Sequence, residues 1–405
     1  MKAFDILKER GYIYQITNEE KVSEMLNNKK ITFYLGIDPT ADSLHIGHFF
    51  ALTIVRRLQK MGHKAIIIIG GATAMVGDPS GKTKMRDMLS AKEVEHNKKE
   101  VRHLVERFVD VKGDNKAIIL DNADWIGPES YIGFMRKIGV HFNVNTMLTT
   151  DCYKNRLNEG GLTFLEMGYM LMQAYDFVYL NREHNCVLQV GGSDQWANIV
   201  AGVDLGRKLD NLEGRNVDKL FGLTCPLLVK ADGEKMGKTE SGTLWVSRDK
   251  TTVYDFYQMF MNSYDEDVER LLAFFSDYEM AWIKEKCRED IIGAKKIMAF
   301  EVTKLVHGEE EALKVQEVSK KVFMGEVTDN MPTFELKVKT DRINVIDFLV
   351  MIKIASSKSE AKRLIEQGGI KINKNLINDV EIDISLDDNL IVQRGKKIFL
   401  KVNVC

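Results

Sequence analysis

Five short apolar runs rich in β-branched residues, each followed by a longer segment of helical periodicity, leave this chain little choice of architecture. They cover 31–37, 65–69, 116–120, 186–190 and 224–229. Strands that alternate with helices pair in parallel, and the helices cover both faces of the sheet. Three of the runs end in glycine-containing turns, at Gly36, at Gly70 and Gly71, and at Gly191 and Gly192. In such sheets ligands gather outside the carboxyl ends of the strands, so these turns are the first place to look for a site.

The interval 90–180 is too long for one crossover and reads as an inserted subdomain, with Trp125, Tyr131, Phe134 and Met135 available to a partner surface. From 251 to 322 the pattern is helical throughout, and 326–336 carries Thr, Asp, Asn and Pro in the manner of a linker. The expected organisation is a doubly wound parallel α/β sheet over 1–245 with an insertion at about 90–185. A helical domain over 246–325, a linker over 326–340 and a small α+β module over 341–405 follow. Within 351–375 six basic residues (Lys353, Lys358, Lys362, Arg363, Lys371, Lys374) face two acidic ones, Glu360 and Glu366. A basic helix, a glycine turn and a strand suit a phosphate backbone, although a solvated helix face has the same composition.

With 57 Lys plus Arg against 59 Asp plus Glu the net charge is -2, so any attraction for nucleic acid must be local. Cys152, Cys186, Cys225, Cys287 and Cys405 lie too far apart for a zinc motif or a disulfide framework and read as reduced thiols in a cytoplasmic protein. The first residues lack a signal-peptide core, and no apolar run approaches the roughly 20 residues of a membrane span.

Three constellations carry chemistry. In the run 34–48, YLGIDPTADSLHIGH, His45, Gly47 and His48 open a helix directly after a strand. A helix start presents unpaired amides and partial positive charge, a ready anion site, although an isolated histidine pair there can equally be surface decoration. In the helical run 164–179, Tyr169, Gln173 and Asp176 fall at i, i+4 and i+7 on one face among apolar neighbours, either a buried carboxylate with a structural partner or the lining of a pocket. The segment 230–242, KADGEKMGKTESG, is a basic glycine-rich loop whose Lys235 and Lys238 can swing onto a polyphosphate. A fourth segment, GDPSGKT at 77–83, imitates a P-loop but is one residue short between its glycines, and Pro79 removes an amide from the cradle. There Asp78 is placed to receive an ammonium, and Lys82 and Arg86 can meet phosphate as side-chain charges.

HIGH at a first helix start together with KMGKT after the last strand resembles the paired signatures of class I aminoacyl-tRNA synthetases. YLGIDPTADSLHIGH, GGATAMVGDPSGK, YMLMQAYDF and GGSDQWANI occur in the order and at the spacing of the bacterial tyrosyl-tRNA synthetase family. The final module resembles that family's RNA-binding domain, so the likeness spans nearly the whole chain. It implies a Rossmann-like fold of the HIGH superfamily and a homodimer formed through the inserted region. It also implies activation of tyrosine by ATP, with transfer to the 3′ end of tRNA(Tyr). Magnesium would be carried in with ATP, without a dedicated protein site.

By the same resemblance Thr40, His45 and His48 would hold the ATP phosphates and ribose, and Lys82, Arg86, Lys235 and Lys238 would neutralise pyrophosphate. Gly36, Asp38, Gly47, Gly192 and Asp194 would border the nucleotide, and Gln195 the tyrosine carboxylate. Tyr169, Gln173 and Asp78 would take the ammonium, Tyr34 and Asp176 the phenolic hydroxyl, and Lys358, Lys362, Arg363 and Lys371 the tRNA. Leu35 replaces a frequent cysteine, which implies a lost contact to the ribose, and Gly237 stands where the general class motif has serine. The rival readings are a tryptophan enzyme of the same architecture, a catalytically dead RNA-binding relative, and a small-molecule nucleotidyltransferase. The last would be shorter and would lack the helical and RNA-binding appendages.

Overall fold

The computed structural model describes residues 2–81, 87–215, 219–239, 242–323, 333–338, 340–386, 389–395 and 398–404. Two compact units account for them, Met1–Thr251 with Ser263–Ala294, and Thr252–Asn262 with Lys295–Cys405.

The first unit is built on strands β1 (Gln15–Ile16), β2 (Thr32–Ile37), β3 (Lys64–Ile69), β4 (Ile118–Asp121), β5 (Cys186–Gly192) and β6 (Phe221–Cys225), in the order β1-β6-β5-β2-β3-β4. β2 to β6 run parallel, while β1 lies antiparallel at the edge and pairs Gln15 with Thr224. β3 shows why the sheet is covered on both sides: Ala65, Ile66, Ile67, Ile68 and Ile69 are all buried, whichever face they point to. The direction of winding reverses between β2 and β5, so a crevice opens at their carboxyl ends.

Two expectations shift. The last parallel strand is Phe221–Cys225 and not 224–229, because Pro226 follows Cys225 and a residue without an amide cannot continue a central ladder. The region assigned to the insertion also contributes to the sheet itself, as the crossover helix α4 (Ala91–Phe108) and the edge strand β4. The non-sheet segment begins after Asp121 and returns to β5 through a long helix.

That helix, α5 (Phe164–His184), follows α1 (Ala3–Glu9), α2 (Ile46–Lys60), α3 (Gly71–Val76) and α4 in chain order, and it precedes α6 (Trp196–Leu212) and α7 (Asp265–Phe275). Thr163 and Glu166 form a capping box at its start, and Glu166 is held in a buried ion pair with Arg156 at 2.9 Å. The far end of α7 is clasped from α1 and α2. Arg10 donates to the carbonyls of Ala273, Ser276 and Tyr278 at 2.8, 2.9 and 2.5 Å. Arg57 donates to Ser276 O at 2.5 Å, and the Tyr12 hydroxyl donates to Phe274 O at 2.5 Å. Cationic donors at a helix carboxyl end satisfy its orphan carbonyls and its dipole together.

In the second unit, helix Val253–Met261 packs on Glu309–Phe323, with Gln258 Nε2 donating to Ser319 Oγ at 2.8 Å. Residues 326–332 and 339 of the expected linker lie outside the described residues, and Thr333–Leu336, also read as linker, is a strand paired in parallel with Ile398–Val404. The final module is a five-stranded sheet of Asn375–Leu376, Ile370–Ile372, Asn389–Arg394, Ile398–Val404 and Thr333–Leu336, in that order. It shares a core with α8 (Val345–Met351) and α9 (Lys358–Glu366), formed by Phe348, Leu349, Ile365, Val392 and Val402.

Removing the Arg10 side chain strands buried carbonyls, which costs about 1–3 kcal/mol each where water cannot replace the donor. Arg10→Ala is expected to lower the first thermal transition by several degrees, whereas Lys8→Ala, which breaks an exposed pair with Glu19, leaves it nearly unchanged. Equal shifts in calorimetry would rule out the clasp as a stabilising feature.

Candidate active site

At the end of β2 the chain turns through Asp38 and Thr40, whose amide donates to Asp38 O at 2.8 Å, and enters α2 at His45. The His45 ring is the N-cap: its Nδ1 accepts the amides of Gly47 at 3.1 Å and His48 at 3.2 Å. A neutral imidazole that accepts at Nδ1 carries its proton at Nε2. The rings of His45 and His48 stack with centroids 3.7 Å apart. The Ile46 amide donates to Leu244 O at 3.2 Å, within a short antiparallel pairing of 44–46 with 244–246. The amides expected to be unpaired are therefore taken, because His45 is itself a capping acceptor and a later segment pairs with the turn. What this helix start offers an anion is imidazole N–H and dipole. Gly47 is close-packed, since a Cβ there would come 3.0 Å from the His45 ring, whereas Gly36 is exposed with nothing within 4 Å of such an atom.

Deeper in the crevice sits a connected set of polar groups. Asp176, buried on α5, accepts Trp125 Nε1–H at 2.8 Å and Asn122 Nδ2–H at 3.0 Å. Asn122 also donates to Thr73 Oγ1 at 3.0 Å, Thr73 donates to Asp38 at 2.7 Å, and Tyr169 donates to the other Asp38 oxygen at 2.8 Å. Burial pushes Asp176 up to about 8 against the pull of the Asn122 and Trp125 donors, with Asp38 and Asp121 adding repulsion. Burial first, and the Asp176 carboxylate second, hold Tyr34 well above the ordinary tyrosine range, so it is a hydroxyl and not a phenolate. That hydroxyl is buried without a hydrogen-bond partner among the described residues, as is Oε1 of Gln189, its neighbour in register on β5. Gln173 is half-buried on the same helix as Tyr169 and Asp176.

At the mouth, Asp78 accepts the Ser80 amide at 2.9 Å and Gln195 Nε2–H at 2.6 Å. Asn198 donates to Gln195 Oε1 at 3.2 Å and to Ser80 Oγ at 3.3 Å, which ties this loop to the turn after β5. Burial and the charge of Asp78 raise Asp194, and Lys235 opposes them. A Cβ on Gly81 would lie 3.9 Å from both Lys235 Nζ and Asp194 Cβ, so the basic loop reaches this mouth. Gly192 leaves room for Asp194, whose Oδ1 would be 2.6 Å from an added Cβ. Lys82 and Arg86 lie outside the described residues, as does the side chain of Lys238, whose backbone pairs with Thr243.

Residues 26–324 match the family model for class I tRNA synthetases (W and Y). The chain belongs to that family. Its residues 324–402 match the SYY-like C-terminal domain of tyrosine–tRNA ligase. The enzyme is 48% identical over 407 residues to the tyrosine–tRNA ligase of Clostridium kluyveri, across 98% of each chain. It is 48% identical over 411 residues to that of Acetivibrio thermocellus, across 99% of each. A C-terminally truncated mitochondrial tyrosyl-tRNA synthetase from Aspergillus nidulans, 28% identical, superposes with a TM-score of 0.70 over 79% of this chain and 94% of that one.

Hydrogen bonds join Tyr169 to Asp38, link Asp38 through Thr73 and Asn122 to Asp176, and join Gln195 to Asp78, but the sequence reading misplaced or missed other residues. Trp125, read as part of a partner surface, is buried, stacks on Tyr179 at 4.4 Å and serves Asp176. Thr73, Asn122 and Asn198 went unnoticed; Asn122 follows the carboxyl end of β4 as Asp38 follows that of β2, where ligands gather in such sheets. In the final module Lys358, Lys362 and Arg363 are exposed on α9 and Lys371 on its neighbouring strand, though Lys358 pairs with Asp347 at 2.6 Å. Among the described residues no group of three or more His, Cys, Asp or Glu side chains is disposed to hold a metal.

The raised Asp176 has a thermodynamic signature. Its folded value of about 8 exceeds the ordinary 3.8, so the folded state binds this proton better; the stabilisation is full below the ordinary value and is lost as pH rises through about 8. In calorimetry of the unliganded chain, Tm of the wild type should fall relative to Asp176→Asn across that window. A difference that stays constant with pH contradicts this placement of Asp176.

Proposed function

We propose that the enzyme activates L-tyrosine with ATP and transfers the tyrosyl group to the 3′ end of tRNA(Tyr). The observation that carries the choice of amino acid is the pairing of Asp176, an acceptor, with the unpartnered hydroxyl of Tyr34, a donor. A phenolic hydroxyl both donates and accepts and satisfies the two together; an indole N–H only donates and leaves Tyr34 stranded. A site built around a substrate hydroxyl rejects the analogue that lacks it, and tyrosyl-tRNA synthetases are themselves the standing example of that rule.

A tyrosine carboxylate oxygen attacks the α-phosphorus of ATP; a new O–P bond forms as the bond to pyrophosphate breaks, giving tyrosyl-adenylate. Asp78, Tyr169 and Gln173 hold the ammonium, Asp38 supports Tyr169, and Gln195 faces the carboxylate. Thr40, His45 and His48 engage the phosphates and ribose beside Gly36, Gly47, Gly192 and Asp194. Lys235 and Lys238, with Lys82 and Arg86, neutralise the charge that grows on pyrophosphate. A hydroxyl of the tRNA terminal ribose then attacks the carbonyl carbon and releases AMP. Magnesium enters as part of MgATP. Lys358, Lys362, Arg363 and Lys371 contact the tRNA backbone.

The enzyme works in the cytoplasm as a homodimer on this reading. Support for the first comes from Cys152, Cys186 and Cys225, which are buried free thiols with raised pKa. Support for the second comes from Tyr131, Ile132, Val140, Val144 and Phe164, large apolar side chains exposed on the segment between β4 and β5.

Exchange of labelled pyrophosphate into ATP should depend on tyrosine and not on tryptophan. Asp176→Ala should abolish most of it while leaving the KM for ATP near wild type, and Lys238→Ala should slow adenylate formation with tyrosine affinity intact. Wild-type exchange by Asp176→Ala would sink the pocket assignment. Sedimentation should give twice the 46.2 kDa chain mass, and a single-chain species at working concentration excludes the dimer.

A further inference from the structure

The loop that carries Lys235 is a hairpin whose outgoing strand is gripped by α7. Val229 bridges Lys235 in antiparallel fashion, Lys230 N donates to Glu234 O at 2.7 Å, and Met236 N donates to Leu228 O at 2.8 Å. On the outgoing side, Asp267, buried in the first turn of α7, accepts the Ala231 amide at 3.1 Å. Arg270, one turn on, donates to the Val229 carbonyl and pairs with Asp267 at 2.7 Å. The Tyr264 hydroxyl donates to Asp232 at 3.0 Å. Val229, Ala231 and Asp232 are thus all bound to the first two turns of one helix and its N-cap.

The returning side rests on α2. Gly237 sits at φ +90°, a Cβ there would come 2.5 Å from Ile46 Cγ2, and its carbonyl accepts the Leu244 amide at 2.7 Å. Since Arg57 on α2 holds the far end of α7, one helix carries the His45 and His48 pair at its start and braces the helix that grips the lysine loop at its end.

We infer that Asp267 and Arg270 are positioning residues for pyrophosphate departure: they fix the outgoing strand so that Lys235 is delivered to the leaving group. This rests on the proposed role of the loop lysines. An acidic residue in a first helical turn also stabilises the helix, a purely structural role that would weaken the whole chain without singling out one reaction step.

The test measures single-turnover adenylate formation and tyrosine affinity in the full chain. The variants are Asp267→Ala, Arg270→Ala, Lys235→Ala and the double variant Asp267→Ala with Lys235→Ala. The expected result is a rate about 10- to 100-fold lower in Asp267→Ala, the scale of a small misplacement of a reacting group, with tyrosine affinity unchanged. The double variant should be no slower than Lys235→Ala alone, because both remove the same contribution. Arg270→Ala frees the Val229 carbonyl and leaves the buried Asp267 carboxylate with the Ala231 amide but without its cationic partner, and it should slow the same step. Additive losses, or a matching loss of tyrosine affinity, would leave Asp267 a structural residue and overturn the inference. A slow Lys235→Ala beside a wild-type rate in both α7 variants overturns it alone, whereas a wild-type rate in Lys235→Ala overturns the loop reading and the inference with it.

Discussion

One run of side-chain hydrogen bonds stitches together the carboxyl ends of three parallel strands. It passes from Tyr169 to Asp38 after β2, to Thr73 after β3, to Asn122 after β4, and ends on Asp176, which Trp125 also serves. Buried polar networks are favourable only when nearly every member is satisfied, so this one constrains the backbone around it. The glycines of the GGAT turn follow from that demand: a Cβ on Gly70 would lie 2.2 Å from Asp38 Oδ1, and one on Gly71 2.4 Å from Asp121 Oδ1. Asp121 in turn receives the amides of Gly71 at 3.0 Å and Ala123 at 2.9 Å, and Lys98 meets its other oxygen at 2.5 Å. The pocket's shape is thus set by what carboxylates need in a low-dielectric crevice, with the sheet supplying the anchors.

How far this is legible in the sequence depends on the range of the interaction. Periodicity located β2, β3 and β5 because burial on both faces leaves nearly unbroken apolar runs, and it located the half-buried edge strand β4 by its pair of isoleucines. It misjudged β6, where an apolar run continues past Pro226 and hydrophobicity outvoted the missing amide. Helical spacing grouped Tyr169, Gln173 and Asp176 because a helix face is a local property. Trp125 and Asn122 belong to another segment, 51 and 54 positions away from Asp176 in no periodic relation, and an indole among Tyr131 and Phe134 looks in sequence like interface. Their partnership is visible only once β4 brings them to the rim.

The edge strand β1 and the two-sided grip on the lysine loop were illegible for the same reason. Two residues, Gln15 and Ile16, carry no pattern of their own; Thr224 and Leu223 supply the ladder. Gly237 is a clearer lesson. In sequence it is a departure from the general class motif, but in the structure its positive φ and its approach to Ile46 make it the residue through which the loop lies flat on α2.

The occupied amides at the start of α2 bear on how charge is handled. A helix start with free amides would bind a polyphosphate equally well before and during reaction, and uniform binding of that kind lowers KM without lowering the barrier. Here His45 takes two of those amides and Leu244 a third, so the fixed backbone contributes mainly its dipole. Full positive charge resides instead on lysines of a loop held at both flanks, by α7 on one side and α2 on the other. On the proposed mechanism that charge engages the phosphates most strongly as pyrophosphate departs. Binding energy is thereby withheld from the ground state and expressed where the reaction needs it.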